Sequence, residues 1–210
     1  MPNISILTGL LYLEPKSALL LSDSSTKYCP SRQQNLTGRC ELRIDSQHLY
    51  CAIYFDFTVL HTHRALIGNI QLMWHGTIRT CTLGDDPNNL NLCTDLGCSL
   101  CRILQGGYSI DKARPTGMLG KGIYFSPLSS KASQYTRNTK SSKYHALILN
   151  RVAVGTTCTT AQARNNFTDP PAGYHSVSAG GGGGLVKFDE TCIYDADMVL
   201  PIMLYLYKAP

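Results

Sequence analysis

The chain has 210 residues, 43% of them hydrophobic and 16% charged, with a formal net charge of +5. That length and balance suit one globular domain with a buried core and exclude a disordered chain. The charge is too mild for a dedicated nucleic-acid binder, and no apolar run is long enough to span a membrane. At the amino end, the apolar patches at 4–13 and 18–21 are interrupted by Glu14, Pro15 and Lys16, and no basic stretch precedes them. A secretory signal is therefore not expected, and the protein reads as intracellular, cytoplasmic or nuclear.

Residues 22–43 are polar, with Pro30 and Gly38, and read as a loop ahead of the core. The run 49–60 (LYCAIYFDFTVL) is rich in aromatic and β-branched residues, which predicts a strand. A second strand is predicted over 70–74, running into His75. Residues 83–91 hold a glycine, two aspartates, a proline and three asparagines, a loop by composition. Across 95–105, Leu96, Leu100, Ile103 and Leu104 fall at helical spacing, with Gly106 and Gly107 as the stop. Residues 108–120 read as a loop, 123–125 as a short strand, and 129–135 as a helix capped by Ser129 or Ser130. After a basic turn at 137–143, the run 144–154 (YHALILNRVAV) predicts a buried strand. Residues 156–184 form a long loop ending in five consecutive glycines, and 187–194 and 199–207 are the last strands expected. Strands dominate and no repeat is present, so the class is α+β, built around antiparallel sheets.

The chain carries nine cysteines, an odd number that argues against a fully paired disulfide framework. Cys81, Cys93, Cys98 and Cys101 are spaced C-x11-C-x4-C-x2-C. The last pair has the spacing of a zinc half-site, and four thiolates can complete a tetrahedral shell. Leu100 and Leu104 equally place Cys98 and Cys101 toward the core, as plain buried thiols. Three readings stand at this point: a structural zinc site, reduced core thiols, or disulfides.

Four segments carry most of the chemistry. Leu72-Met73-Trp74-His75-Gly76-Thr77 is an apolar strand ending in His-Gly-Thr. Gly120-Lys121-Gly122-Ile123-Tyr124-Phe125 leads into a serine-rich stretch, with Tyr135 eleven residues after Tyr124. Pro171-Ala172-Gly173-Tyr174-His175-Ser176-Val177 follows, and then Lys187-Phe188-Asp189-Glu190-Thr191-Cys192-Ile193-Tyr194. Two tyrosines can bracket a flat ligand, glycines let backbone approach it, and a carboxylate can stabilise a developing cation. Asp189 is the neighbouring carboxylate, but alternation along a strand points it to the opposite face from Glu190.

In that order the segments resemble the catalytic domain of the poly(ADP-ribose) polymerase (PARP) family, over about residues 71–207. The resemblance implies a PARP-like ADP-ribosyltransferase fold of two packed, mainly antiparallel sheets with few helices. It implies a catalytic domain over 49–210, preceded by an N-terminal segment, 1–48, that is partly loop and packs on or leads into that core. It also implies an enzyme using NAD as co-substrate. His75, Gly76, Thr77, Tyr124, Phe125 and Tyr135 would bind NAD: His75 at the adenosine ribose, the Gly76 backbone at the nicotinamide amide, both tyrosines at its ring. Glu190 would be the catalytic carboxylate. Ala132 stands where the family usually has a serine bonding that amide. The expected acceptor is a protein, with a nucleic acid as another candidate; an NAD glycohydrolase and a non-catalytic NAD or ADP-ribose binder are the alternatives. Only 74 residues precede His75 and they read as strand and loop, so direct sensing of DNA breaks is not expected, and the chain reads as a monomer.

Overall fold

The computed structural model describes residues 37–45, 48–56, 67–86, 91–138, 142–180 and 186–208. Five strands form an antiparallel sheet in the order β1-β2-β11-β7-β3: β1 (Thr37–Asp45), β2 (His48–Asp56), β3 (Ile70–Gly76), β7 (Tyr144–Ala153) and β11 (Val199–Lys208). A second sheet runs β5-β10-β9-β8, from β5 (Ile123–Phe125), β8 (Thr157–Thr159), β9 (Ser176–Ala179) and β10 (Glu190–Ile193). Its β8–β9 pair is parallel and its other pairs are antiparallel. Two short strands, β4 (Ile78–Arg79) and β6 (Arg137–Asn138), pair in parallel. Helices α1 (Ser99–Gly106) and α2 (Ser129–Ser133) and 3-10 turns at Ile110–Lys112 and Ala196–Met198 accompany the sheets. The fold is α+β, mainly antiparallel and poor in helix, as expected. Among the described residues no helix is long and apolar enough to cross a membrane.

Strand periodicity decides where the layers sit. Ile148 and Val152 of β7 point to one face, and the register puts His75 opposite Ile148, Met73 opposite Asn150 and Leu204 opposite Ile148. A bulge between Pro201 and Met203 shifts β11 by one residue, so Val199 rejoins that face opposite Val152. One end of the face is covered by α1 and its flanking loop, through Leu83, Cys98, Leu100, Cys101 and Leu104. The other end is covered by the second sheet, through Ile123, Phe125 and Ile193. His75 lies on this same face, between the two covers.

Several expected boundaries move, each for a local reason. The loop expected over 22–43 contains part of β1, whose edge position is satisfied by pairing with β2 along its whole length. Strand β2 ends at Asp56, and residues 57–60 of the expected run lie outside those described. The helix expected from residue 95 begins at Ser99, because Asp95 makes a turn instead: Oδ1 accepts from the Gly97 N–H at 2.8 Å and Oδ2 from the Thr80 hydroxyl at 2.6 Å. Neither Ser129 nor Ser130 caps α2. Leu128 holds the N-cap position, and the Ser126 hydroxyl accepts the Leu128 N–H at 3.1 Å. The long loop at 156–184 contains β8 and β9, strands too short and too rich in serine and threonine to stand out by composition. The strand expected over 187–194 is confined to β10.

Candidate active site

Between the α1 layer and the second sheet lies an open cleft of about 790 Å³. Its size is that of a small-molecule site. All seven residues singled out for ligand work line it: His75, Gly76, Thr77, Tyr124, Phe125, Tyr135 and Glu190. They come from the end of β3, from β5, from beside α2 and from the start of β10.

The His75 imidazole is fixed on three sides. Its Nδ1 lies 2.9 Å from the Tyr124 carbonyl oxygen, which can only accept, so Nδ1 carries the proton and Nε2 is an acceptor. Tyr108 meets the ring edge-on at a centroid distance of 5.1 Å, and Phe125 packs against it tilted by 48° at 5.4 Å. Burial lowers the His75 pKa, and the bond to the Tyr124 carbonyl only partly opposes this. The ring is therefore a neutral donor-acceptor at ordinary pH.

Gly76 has to be glycine for a steric reason: a Cβ there would overlap the carbonyl oxygen of Ala132 in α2. The tight contact of α2 on β3 thus leaves backbone, rather than side chain, at the floor of the cleft. Gly120 has φ of 91° and packs against Phe167, so it too excludes a side chain. Gly120 in turn accepts the Tyr124 hydroxyl at 2.7 Å, while that hydroxyl accepts the Leu119 N–H at 2.9 Å. Burial, with smaller contributions headed by Cys192, pushes the Tyr124 hydroxyl well up, so it stays protonated and pinned. Phe125 is only 2% exposed and forms a rear wall, whereas Tyr135 is 47% exposed at the rim.

Glu190 opens β10 and is 6% exposed, while Asp189 before it is exposed, in keeping with strand alternation. Its Oε2 lies 3.2 Å from Nζ of Lys131. Burial lowers the Lys131 pKa, but the Glu190 carboxylate outweighs this and the net shift is upward. Lys131 also stands 5.4 Å from the centroid of the Tyr135 ring, so the ammonium touches both a carboxylate and an aromatic face in the cleft.

Sequence reasoning missed Lys131 and Tyr108. The position of Lys131, in a serine-rich helix start after Tyr124, was its only signal. Tyr108 sits in a Gly-Tyr-Ser loop and gave none, yet its hydroxyl donates to Asn150 Oδ1 at 2.9 Å, tying the loop to β7. The cleft also gathers Arg102, Lys112 and Arg114, so with Lys131 four cations face one carboxylate. The four cysteines do not line the cleft.

Residues 98–201 match the model of the poly(ADP-ribose) polymerase catalytic domain. That stretch of the chain belongs to the PARP catalytic-domain family. The chain is also 31% identical over 149 residues to "Poly [ADP-ribose] polymerase 1" of Arabidopsis thaliana. That alignment takes in 70% of this chain and only 13% of the plant protein. Within the PARP domain, Tyr124, Lys131 and Glu190 fall inside the matched residues, while His75 lies upstream of them and joins them through β3.

Proposed function

We propose that this PARP-family domain is an NAD-dependent ADP-ribosyltransferase, moving ADP-ribose from NAD to a protein acceptor with release of nicotinamide. The observation that carries this reading is the meeting of His75, Tyr124 and Glu190, far apart in sequence, on one cleft. The four cations lining that cleft suit the two phosphates of a dinucleotide.

The roles follow from the groups present. Nε2 of His75 accepts a hydrogen bond from a hydroxyl of the adenosine ribose. The Gly76 backbone, exposed because no Cβ is tolerated, pairs with the nicotinamide amide. Thr77 borders the same end, Phe125 closes the back, and Tyr124 and Tyr135 hold the ring, with stacking contributing about 0.5–1.5 kcal/mol per aromatic pair beyond area burial. Glu190 faces the nicotinamide ribose. When the C1′–N bond breaks, its electron pair leaves with the pyridine nitrogen, and nicotinamide departs neutral. The sugar passes through an oxocarbenium-like state that the carboxylate stabilises. The acceptor oxygen then bonds to C1′, and its proton passes to Glu190 or to water. Lys131 holds the carboxylate in place from the α2 side. Ala132, where the family usually places a serine, withholds one neutral hydrogen bond from the amide, which weakens nicotinamide binding by on the order of 1 kcal/mol.

The test uses purified protein, NAD labelled in its adenylate half, and a cell lysate as the source of acceptors. Label is expected on protein, and Glu190→Gln is expected to lower its transfer roughly 10²- to 10⁴-fold. Unchanged transfer by the variant overturns the assignment. Label recovered only as free ADP-ribose makes the protein a glycohydrolase, and intact NAD with measurable binding makes it a non-catalytic module.

A further inference from the structure

The thiol cluster lies outside the cleft, and its geometry stands apart from any reading of the cleft's chemistry. Cys81 follows β4, Cys93 lies in the loop before α1, Cys98 holds the N-cap position of α1 and Cys101 sits in its first turn. Their four Sγ atoms lie within 4.8 Å of one another. Cys81 Sγ is 3.8 Å from that of Cys98 and 3.5 Å from that of Cys101. Thiolates about 2.3 Å from a zinc ion at tetrahedral angles stand about 3.8 Å apart, so these separations are those of a ZnS4 shell. A disulfide needs about 2.05 Å, and Cys81, Cys93, Cys98 and Cys101 are all free thiols.

Packing alone does not explain the convergence. The segments that bring these sulfurs together are a strand end, a loop and a helix start. Among the described residues ahead of α1, Leu83 is enclosed and Leu92 packs against the core, but residues 94–97 are exposed, Leu96 to 80%. An exposed stretch such as 94–97 is poorly held by apolar contact and well held by a metal bound through Cys93 and Cys98 on either side of it. The backbone supports the sulfurs, with the Cys93 N–H pointing at Cys101 Sγ at 3.5 Å. Four soft sulfur donors, with no carboxylate or imidazole in the cluster, select zinc over magnesium or calcium.

We propose that Cys81, Cys93, Cys98 and Cys101 bind one zinc ion as a closed structural site, and that the ion fixes the α1 wall of the cleft. Helix α1 has two faces. Cys98, Leu100, Cys101 and Leu104 face the core, while Ser99, Arg102, Ile103 and Gly106 face the cleft. The metal clamps the first face and thereby sets the position of the second. With four protein ligands the shell is complete, so the ion has no open position for a substrate.

The test is metal analysis of the whole chain, purified without chelator. Roughly one zinc per chain is expected, falling below about a tenth in Cys98→Ser and Cys101→Ser and staying in Cys158→Ser, whose thiol lies outside the cluster. Stripping the wild-type protein with a chelator is expected to lower its Tm by more than about 5 °C, and cobalt added to the stripped protein should give the intense visible bands of tetrahedral thiolate coordination. Should the serine variants fail to fold, the wild-type chain still decides the matter: the four thiols should resist a thiol reagent until a mercurial or chelator releases the ion. Absence of zinc, iron in its place, ready titration of all thiols beforehand, or equal loss of metal from Cys158→Ser overturns the proposal.

Discussion

Two buried ion pairs among the described residues, Arg79 with Asp85 and Lys131 with Glu190, are built differently. At the β4–β6 corner, Arg79 is 1% exposed and each of its three side-chain nitrogens is bonded. It donates to the Leu83 carbonyl at 2.9 Å, the Tyr144 carbonyl at 2.6 Å, the Ser142 hydroxyl at 2.5 Å and Asn138 Oδ1 at 3.3 Å, and it pairs with Asp85 at 3.0 Å. At the cleft, Lys131 meets Glu190 at 3.2 Å with only the Tyr135 ring beside it. A guanidinium whose every nitrogen is engaged by the fold is a joint between segments. An ammonium–carboxylate pair opening onto a cavity keeps capacity for a ligand, and is a poor way to gain stability. The contrast separates scaffold from working parts more sharply than burial does, since both pairs are largely enclosed.

The largest effect should come from the scaffold pair. Arg79→Met strands the Leu83 carbonyl and the Asp85 carboxylate, while the Tyr144 carbonyl keeps Asn138 and Ser142, and it should cost about 3–5 kcal/mol in urea unfolding. Arg79→Lys should recover less than half of that, because an ammonium cannot reproduce the fork. Ligand chemistry measured well below the new Tm should be nearly unchanged. A loss under about 1 kcal/mol would mean that the corner is held by something else, and the contrast would lose its first half.

The second effect is smaller in stability and larger in function. Lys131→Met removes the cation beside Glu190. Because the pair borders an open cleft and is partly solvated, the cost should be on the order of 1–2 kcal/mol, below that of a deeply buried pair. Transfer from labelled NAD should fall more than about tenfold, with partial rescue by Lys131→Arg. A variant that loses stability but transfers normally would make Lys131 a second joint like Arg79.

The same contrast explains what could be read from the chain. Strands β5, β7 and β11 were legible because apolar and β-branched runs announce them. Strands β8 and β9 were not, since Thr-Cys-Thr and Ser-Val-Ser-Ala sit inside a loop-like composition and become strands only by pairing with β10 and each other. The start of α1 was misplaced because Leu96 fits the helical spacing, yet Asp95 before it spends its carboxylate on a turn. His75, Tyr124 and Glu190 could be named through family resemblance, and their meeting in one cleft is a matter of sheet register. Lys131 and Tyr108 escaped because their partners are remote: the Tyr108 bond to Asn150 spans 42 residues, and no local pattern encodes it.

The smallest effect tests whether the cleft carries a polar penalty of its own. His75 is held neutral, its pKa lowered from 6.5 by burial despite the bond to the Tyr124 carbonyl. Below pH 6.5 the unfolded chain binds a proton at this position more readily than the folded one, so stability is complete above that value and falls as the pH drops toward the lowered folded pKa. At about pH 5.5 the loss from this single group is at most about 1.4 kcal/mol, whatever the folded value. His75→Asn removes the titration, so the difference in urea midpoint between about pH 7.5 and pH 5.5 should be smaller in the variant than in the wild type. Equal differences would mean that the ring charges without hindrance. It would then enter the cleft as imidazolium at mildly acidic pH, with no acceptor nitrogen for a ribose hydroxyl, and the role given to Nε2 would have to pass to another group.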